Sequence, residues 1–228
     1  PIGRHMVPGT GAAVDAFAPD VVVADQHALA GAAVALRSGL PWATSATSSA
    51  DLVDPLAGVP KVAAWLRGRM TALLVEAGVD EPTAAAVDPR FSPHLLVAFT
   101  TAELVGPAEA FPDHWALVGP ALRHRADTTP FPWEWLERDD LPIVLVTLGT
   151  INWRAGARFF SAAAEALGGM DARGVIVAPP GSVPDPPGNV LVVPRVPQLS
   201  LLPRVDLVVA HGGRHPAWLL YLTLDPLQ

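Results

Sequence analysis

The chain has 228 residues, of which 50% are hydrophobic and 16% are charged, and its formal net charge is -7. This composition excludes an intrinsically disordered segment, and the absence of a basic excess argues against nucleic-acid binding. The sequence has no cysteine, no apolar run near the ~20 residues of a membrane span and no signal-peptide pattern at its start, so we expect a cytoplasmic protein of one or two domains.

The first part of the chain predicts alternating strands and helices. Residues 19–25 form a short apolar run that ends in Asp25, which predicts a strand buried on both faces. An alanine-rich helix is predicted over 27–39, with Gly39 as its C′ residue, and a second strand over 40–45. This strand–helix–strand order with short connections is typical of a parallel sheet.

A longer helix and two further strands follow. Apolar residues at helical spacing predict a helix over 59–78. The apolar positions of this helix are Val62, Leu66, Met70, Leu73 and Ala77. We interpret this face as core packing, with the lining of an apolar substrate pocket as the alternative. Short strands are predicted over 94–100 and 115–120.

The segment 123–140 is polar, contains two prolines and predicts a linker. Beyond it the alternation of strands and helices restarts, so the sequence predicts two α/β domains with parallel sheets. The strands of the second domain are predicted over 141–149, 172–180, 189–194 and 205–213, with a helix over about 154–167.

Two glycine-bearing turns end strands of this second domain. Gly149 and Thr150 follow one strand, and a His-Gly-Gly run that begins at His211 ends another. Ligands of open α/β sheets bind beyond the carboxyl ends of the strands, where exposed N–H groups can hold a diphosphate. Considered alone, each turn is better explained as an ordinary tight turn.

Two other patterns are weak. His211 and His215 have the four-residue spacing of a zinc-binding helix, but the glycines between them and the proline after them disfavour a helix. The Gly-Thr-Gly run at 9–11 resembles part of a dinucleotide fingerprint, but no strand is predicted before it and the third glycine is missing. We therefore expect neither a metal site nor a dinucleotide site.

The run 192–213, together with the turn at 149–150, resembles the donor-binding half of nucleotide-sugar glycosyltransferases, nearest to bacterial antibiotic enzymes of the macrolide and enediyne type. Plant small-molecule glycosyltransferases are more distant, with Trp-Ala-Pro-Gln where this chain has Arg-Val-Pro-Gln at 195–198. The segments 39–66 and 111–122 resemble the acceptor domain of the same bacterial family and the approach to its interdomain linker.

The resemblance implies two Rossmann-like parallel-sheet domains facing a cleft, the GT-B architecture, with 1–125 binding the acceptor and 126–228 the donor. It implies inverting transfer of a sugar from a nucleoside diphosphate sugar, of the dTDP-deoxysugar type, to a hydroxyl of a hydrophobic aglycone. N–H-rich turns and helix N-termini would balance the diphosphate charge, so we expect no metal and no other cofactor. The expected partners are the aglycone and the sugar nucleotide, without nucleic acid or membrane, and a homodimer stays open.

The resemblance also assigns roles to individual residues. Asp25 matches the family aspartate that orients a catalytic histidine, with a strand-end cap as the alternative. Val196 and Gln198 match positions beside the nucleoside, and Arg195 stands where plant relatives stack a tryptophan on the base, with an outward surface position as the alternative. The turns that match the diphosphate site are formed by Gly149, Thr150, His211, Gly212 and Gly213.

Two departures accompany the match. The family's catalytic histidine lies upstream of Asp25, and neither His5 nor His27 is nominated in its place. After Gly213 the chain leaves the family pattern, so both domains are expected to be incomplete and residues 1–228 alone are not expected to turn over. The alternative functions are an inactive nucleotide- or partner-binding pseudoenzyme and a nucleotide-sugar epimerase of the same architecture, against which the apolar helix of the acceptor domain argues.

Overall fold

A computed structural model describes residues 2–119, 121, 128–149 and 156–211. The chain divides into two compact units, Pro1–Ala121 and Leu122–Gln228, and each holds one four-stranded sheet. Every strand pairing in the two sheets is parallel. The expectation of an α/β fold with two parallel sheets is therefore confirmed, whereas the bounds and roles given to 1–125 and 126–228 stay predictions.

The first sheet has the strand order β1-β2-β3-β4. Its strands are β1 Val22–Asp25, β2 Trp42–Ala46, β3 Leu95–Ala98 and β4 Trp115–Leu117. The helices of this unit are α1 Ile2–Phe17, α2 Ala30–Arg37, α3 Pro60–Glu76, α4 Glu81–Ala86 and α5 Ala102–Val105, with 3₁₀ turns at Ser49–Val53 and Ala108–Ala110. The four predicted strands of the first half are thus present in shorter form.

Helix α2 is alanine-rich because it is buried on two sides. One side packs on the sheet at Ala24 and Trp42, and the other packs on the C-terminal end of α3 at Leu74. The helix ends where Gly39 adopts a φ of 65°, with the N–H of Leu40 donating to Ala35 O at 2.9 Å. Gly39 is therefore the C′ residue of a Schellman motif, as expected.

Strand β1 corrects one expectation, because it is not buried on both faces. Ala24 is buried and packs with residues of α2, but Val23 points to the other face and is 71% exposed. β1 stands at the end of the strand order in the described sheet and pairs with β2 alone. An apolar run therefore indicated a strand here without indicating how many of its faces are covered.

Helix α1 is an element that the sequence did not predict. It contains Pro8 and the Gly-Thr-Gly run at 9–11, residues that disfavour helices. Two of its glycines lie at close helix contacts: a Cβ on Gly3 would lie 3.1 Å from the Leu73 side chain of α3, and one on Gly11 would lie 2.9 Å from the guanidinium of Arg37. Tertiary packing therefore overrides propensity, and 9–11 is part of a helix rather than a strand–loop fingerprint.

The second sheet has the strand order β7-β6-β5-β8. Its strands are β5 Ile143–Thr147, β6 Arg173–Val177, β7 Val190–Val193 and β8 Leu207–Ala210. The helices of this unit are α6 Trp133–Leu136, α7 Ala157–Gly168 and α8 Gln198–Leu201, with a 3₁₀ turn at Leu202–Arg204. β6 and β7 lie on one side of β5 and β8 on the other, so the strand order reverses beside β5. Ligand crevices of doubly wound sheets occur at such a switch point.

The segment 123–140 is only in part a linker. Within it, the short helix α6 places Leu136 in the core of the second unit, where this side chain is 1% exposed and packs with Leu145 and Val175. Arg204 lies over the Trp133 ring at 4.6 Å from the centroid. Residues 131–136 contain one charged residue, Glu134, and their aromatic and aliphatic side chains pack in the core of the second unit.

The described helices include none with the length and hydropathy needed to span a membrane.

Candidate functional site

The carboxyl ends of β5 and β8 meet at the edge of the second sheet. Thr147 is opposite Ala210 in the parallel register, so the residues that follow them, Gly149 and His211, come close together. Gly149 has a φ of 67°, and a Cβ built on it would lie 2.6 Å from Cε1 of His211. The Gly149 N–H donates to Thr147 Oγ1 at 3.2 Å. Glycine is therefore required here both by the backbone conformation and by the adjacent imidazole.

A cavity of about 430 Å³ lies in the second unit and includes Gly149. Its described lining consists of Thr129, Leu145, Thr147, Gly149, Val177, Pro194, Arg195, Val196 and Gln198. It brings together four residues that the sequence assigned to the donor site: Gly149, Arg195, Val196 and Gln198. His211 is exposed beside Gly149, outside the lining itself. Thr150, Gly212 and Gly213 lie outside the described residues.

The described lining of this second-unit cavity combines apolar side chains with a few polar ones. Leu145, Val177 and Val196 give it an apolar surface that continues into the core below. Arg195 is the one charged residue among the lining residues that the structure describes, and its side chain is exposed. Pockets of this size with a few polar groups on an apolar wall are typical of small-molecule sites.

Thr129 is a lining residue that sequence reasoning missed. It lies in the segment interpreted as a linker, shortly before α6, whose Leu136 packs in the core of the second unit. The available signal was the aromatic and apolar content of 131–136, which indicates that this stretch packs on an apolar surface.

Asp25 lies at the carboxyl end of β1 in the first unit. Its Oδ1 accepts the backbone N–H of His27 at 2.8 Å, and its Oδ2 accepts the hydroxyl of Thr47 at 3.1 Å. Among the residues described, no imidazole contacts this carboxylate. The strand-end cap given as the alternative is therefore observed, while the role beside a catalytic histidine stays a prediction, because a carboxylate with two donors keeps further acceptor sites.

A second cavity of about 400 Å³ lies in the first unit, between α3, the loop after β2 and the segment before β3. Leu66 and Met70 of α3 line it, whereas Leu73 and Leu74 at the end of α3 are buried in the core. The core-packing interpretation therefore holds for the C-terminal part of this helix, whereas the role of Leu66 and Met70 in a substrate pocket stays a prediction.

Arg90 forms ion pairs with two carboxylates in the lining of this first-unit cavity. Its Nε and Nη2 donate to the two carboxylate oxygens of Asp88 at 3.0 and 2.7 Å, and its Nη1 donates to Asp51 Oδ1 at 3.3 Å. The pKa of the Arg90 guanidinium is raised by the hydrogen bond to Asp88, with further contributions from the charges of Asp51 and Asp54. The Nε2 of His27 lies 3.5 Å from the other oxygen of Asp51.

The described residues contain no group of three or more His, Asp or Glu side chains that could hold a metal ion. The expectation of no metal and no other cofactor stays a prediction.

Curated relatives of the chain are bacterial enzymes that transfer sugars. Over 123 residues it is 30% identical to the uncharacterized UDP-glucosyltransferase YojK of Bacillus subtilis, a match that covers 52% of this chain and 30% of that protein. Over 167 residues it is 34% identical to the demethyllactenocin mycarosyltransferase of Streptomyces fradiae, covering 67% of this chain and 33% of that enzyme. The chain is a relative of bacterial glycosyltransferases. It spans about a third of the length of the curated relatives it matches, and no protein-family model matches it.

Solved structures that share this fold include glycosyltransferases of known name. The calicheamicin glycosyltransferase CalG4 matches with a TM-score of 0.72 and 22% identity over 95% of this chain and 56% of that one. The Streptomyces sp. SF2575 glycosyltransferase SsfS6, solved with thymidine diphosphate, matches with a TM-score of 0.60 and 22% identity over 96% of this chain and 56% of that one. The expected glycosyltransferase fold is therefore confirmed by these structures, and the homology above relates the chain to bacterial glycosyltransferases.

Proposed function

We propose that this protein takes part in the transfer of a sugar from a nucleoside diphosphate sugar to a hydroxyl group of a hydrophobic natural product. The observation that carries the proposal is the cavity at the switch point of the second sheet, where four residues expected to bind the donor converge. His211 lies next to this cavity against Gly149. Homology to glycosyltransferases over half or more of this chain supports the same function.

The chemistry of the second-unit cavity fits a nucleotide. The apolar wall of Leu145, Val177 and Val196 suits the face of a base, and Arg195 can stack on that base or pair with phosphate oxygens. Thr129 and Gln198 bring groups able to hydrogen-bond sugar hydroxyls. No carboxylate is present in the described lining to repel a diphosphate. Thymidine diphosphate is the nucleotide we propose, supported by its presence in the structure of SsfS6.

The proposed reaction is a single inverting displacement. The oxygen of the acceptor hydroxyl forms a bond to the anomeric carbon, the bond from that carbon to the diphosphate breaks, and the hydroxyl proton passes to a base. Asp25 is the residue we propose to orient that base. His211 would donate a hydrogen bond to the diphosphate as negative charge builds on it, and we propose that no metal is needed there.

Isothermal titration calorimetry of the chain with thymidine diphosphate tests the proposal. We expect one site on the second unit, with competition by uridine diphosphate and with loss of affinity in Arg195→Ala and Gln198→Ala. Arg138→Ala is the matched control, because this residue is exposed and lies outside the cavity lining. Absence of binding by either nucleotide would contradict the proposal.

A second candidate function is nucleotide binding without sugar transfer. The specific observation in its favour is that both carboxylate oxygens of Asp25 already accept hydrogen bonds from His27 and Thr47, so a capping role alone explains this residue. Chromatography of reactions that contain the protein, a nucleoside diphosphate sugar and an aglycone separates the two candidates, because only the first forms a glycosylated product.

A further inference from the structure

The first half of α3 carries a row of exposed side chains along one side of the helix. Lys61, Trp65 and Arg69 follow one another at intervals of four residues, a spacing that makes them neighbours on a helix surface. All three are exposed, and 65% of the surface of Trp65 is open to solvent. Val62 lies one turn from Trp65 and is 48% exposed. These four residues form the α3 ridge.

Core packing does not account for the α3 ridge. The residues of α3 that the fold buries are Met70, Leu73 and Leu74, all in the second half of the helix. No residue from 60 to 69 is buried. A single exposed apolar side chain is common on protein surfaces, but an exposed tryptophan beside an exposed valine forms a patch, and such patches are typical of interaction sites.

The charge around the α3 ridge is positive, although the net charge of the whole chain is -7. The sequence from 55 to 75 contains the cations Lys61, Arg67 and Arg69 and no Asp or Glu. Among the residues that the structure describes, neither Lys61 nor Arg69 forms an ion pair or lies over an aromatic ring. Arg90, by contrast, has carboxylate partners and lies over a ring. The ridge therefore presents two unpaired positive charges, one on each side of its tryptophan.

This arrangement fits the surface of an anionic lipid bilayer. Tryptophan is enriched at the boundary between headgroups and acyl chains, because its ring is largely apolar and its N–H can still find a polar partner there. Lysine and arginine beside it can reach lipid phosphates while their aliphatic stems cover apolar surface. A helix that lies in the plane of the membrane needs no spanning length.

A protein partner fits the α3 ridge less well. A stable protein interface buries roughly 800 Å² on each partner, and three long side chains with one valine cover less than this. A second copy of the chain is disfavoured further, because pairing of two identical ridges would bring like charges together.

We propose that the α3 ridge binds the anionic surface of a lipid bilayer, with Trp65 in the interfacial layer and with Lys61 and Arg69 on lipid phosphates. This departs from the sequence-based expectation of no membrane partner, which rested on the lack of a spanning segment. The proposal is independent of the proposed function, because it involves neither the second-unit cavity nor Asp25.

Vesicle binding tests the class of partner. The chain is mixed with vesicles of phosphatidylcholine alone or of an equimolar mixture with phosphatidylglycerol, and the bound fraction is measured by flotation. We expect the affinity for the anionic vesicles to be at least about 10-fold higher, and to fall as added salt screens the attraction. Equal affinity for the two vesicles, or no binding, would overturn the proposal. Binding to soluble polyglutamate without binding to vesicles would also overturn it and would indicate an acidic protein partner.

Charge reversal tests the position of the surface. The double variant Lys61→Glu/Arg69→Glu should bind the anionic vesicles about 10-fold or more weakly. The matched control Arg138→Glu/Arg158→Glu changes the net charge equally at exposed positions of the second unit and should lose much less affinity. Thermal unfolding checks that both variants are folded. Equal losses would mean that the whole chain, and not the ridge, responds to the lipid charge.

Removal of the aromatic ring tests the apolar part of the contact. Trp65→Ser should weaken binding to the anionic vesicles by about 5-fold or more, because the ring no longer enters the interfacial layer. Phe17→Ser, at a position on α1 that is 82% exposed, should leave the affinity unchanged. Loss of affinity in Phe17→Ser but not in Trp65→Ser would overturn the assignment to the ridge.

A fluorescent label reports contact with the membrane directly. The sequence has no cysteine, so Gly68→Cys and Gly188→Cys each give a single labelling site. Both glycines have open space where a Cβ would be built, and only Gly68 lies beside the α3 ridge. With anionic vesicles, an environment-sensitive label should shift to shorter wavelength at Gly68→Cys and not at Gly188→Cys. A shift at Gly188→Cys alone, or at neither position, would overturn the proposal.

Discussion

The imidazole of His211 lies directly against the α-carbon of Gly149, so closely that a Cβ at position 149 would come within 2.6 Å of Cε1 of the ring. The two residues are far apart in sequence and meet because β5 and β8 are neighbours in the sheet. Their contact joins the carboxyl ends of these two strands. It also fixes where the imidazole stands relative to the second-unit cavity.

Gly149→Ala is expected to weaken binding of thymidine diphosphate by about 10-fold or more, because the new methyl group displaces the imidazole. Stability should also fall by about 1–2 kcal/mol, since an L-residue at a φ of 67° is strained. Calorimetry measures the first effect and urea denaturation the second.

Gly181→Ala is the matched control for this substitution. Gly181 has a φ of 79°, but a Cβ there would meet no atom within 4 Å. This variant should therefore show the backbone strain without the loss of nucleotide affinity. Equal nucleotide affinities of the two variants would show that the contact between Gly149 and His211 has no part in binding.

His211→Ala is expected to weaken nucleoside diphosphate binding by about 1.5–3 kcal/mol, the usual contribution of a hydrogen bond to a charged group. The His5→Ala variant, in which the replaced histidine is exposed on α1, should bind normally. Calorimetry of the two variants decides the matter. An affinity unchanged in His211→Ala would remove this residue from the donor site.

Asp25→Asn separates a catalytic role from a capping role. Nucleotide affinity should be unchanged, because Asp25 and the second-unit cavity lie in different units. The rate of sugar transfer should fall by about 100- to 10,000-fold, the range associated with loss of general-base catalysis. Measurements of nucleotide affinity and of glycosylated product by chromatography test the two statements.

Thr47→Val is the control for Asp25→Asn, because it removes one donor to the carboxylate and leaves the carboxylate in place. If the carboxylate acts on the base, Thr47→Val keeps most of the transfer rate and Asp25→Asn does not. If Asp25 only caps the strand end, the two variants lose similar amounts of stability. The sugar-transfer rate of Asp25→Asn then falls no more than that of Thr47→Val.

Most of the fold could be predicted from the sequence because its strands are short apolar runs bounded by turns. Each of the eight observed strands overlaps a predicted one, and Gly39 ends α2 as expected. Helix α1 could not be predicted from the sequence, since Pro8 and the glycines of that segment lower its intrinsic helix propensity. Gly3 and Gly11 are explained by close packing on Leu73 and Arg37, which local patterns do not indicate.

Part of the candidate donor site could be predicted from the sequence, by resemblance to a known family rather than by physical reasoning alone. Gly149, Arg195 and Gln198 were assigned from motifs, and the structure places them in one cavity. The contribution of Thr129 was missed because a polar, proline-bearing segment was interpreted as a linker. The same segment also contains Leu136, which is buried against residues of the second sheet.

The ion pair between Arg173 and Asp139 fixes this segment further and leads to a pH-dependent prediction. Arg173 begins β6, is buried, and lies 4.9 Å from the centroid of Trp135. Its Nε donates to Asp139 Oδ1 at 2.8 Å, and this hydrogen bond lowers the pKa of Asp139. Asp139→Asn should lower the urea midpoint at pH 7, because a buried guanidinium loses its counter-charge.

The sign of the pH dependence follows from the direction of the shift. A carboxyl whose pKa is lower in the folded state stabilises the protein above its unfolded pKa, and this contribution is lost as the pH falls through the folded value. The difference in urea midpoint between the parent protein and Asp139→Asn should therefore be full at pH 7 and shrink as the pH falls below the usual aspartate range. Asp140→Asn, at the exposed neighbouring position, should show a smaller difference at pH 7. Equal effects of the two substitutions at pH 7 would mean that Arg173 does not depend on Asp139.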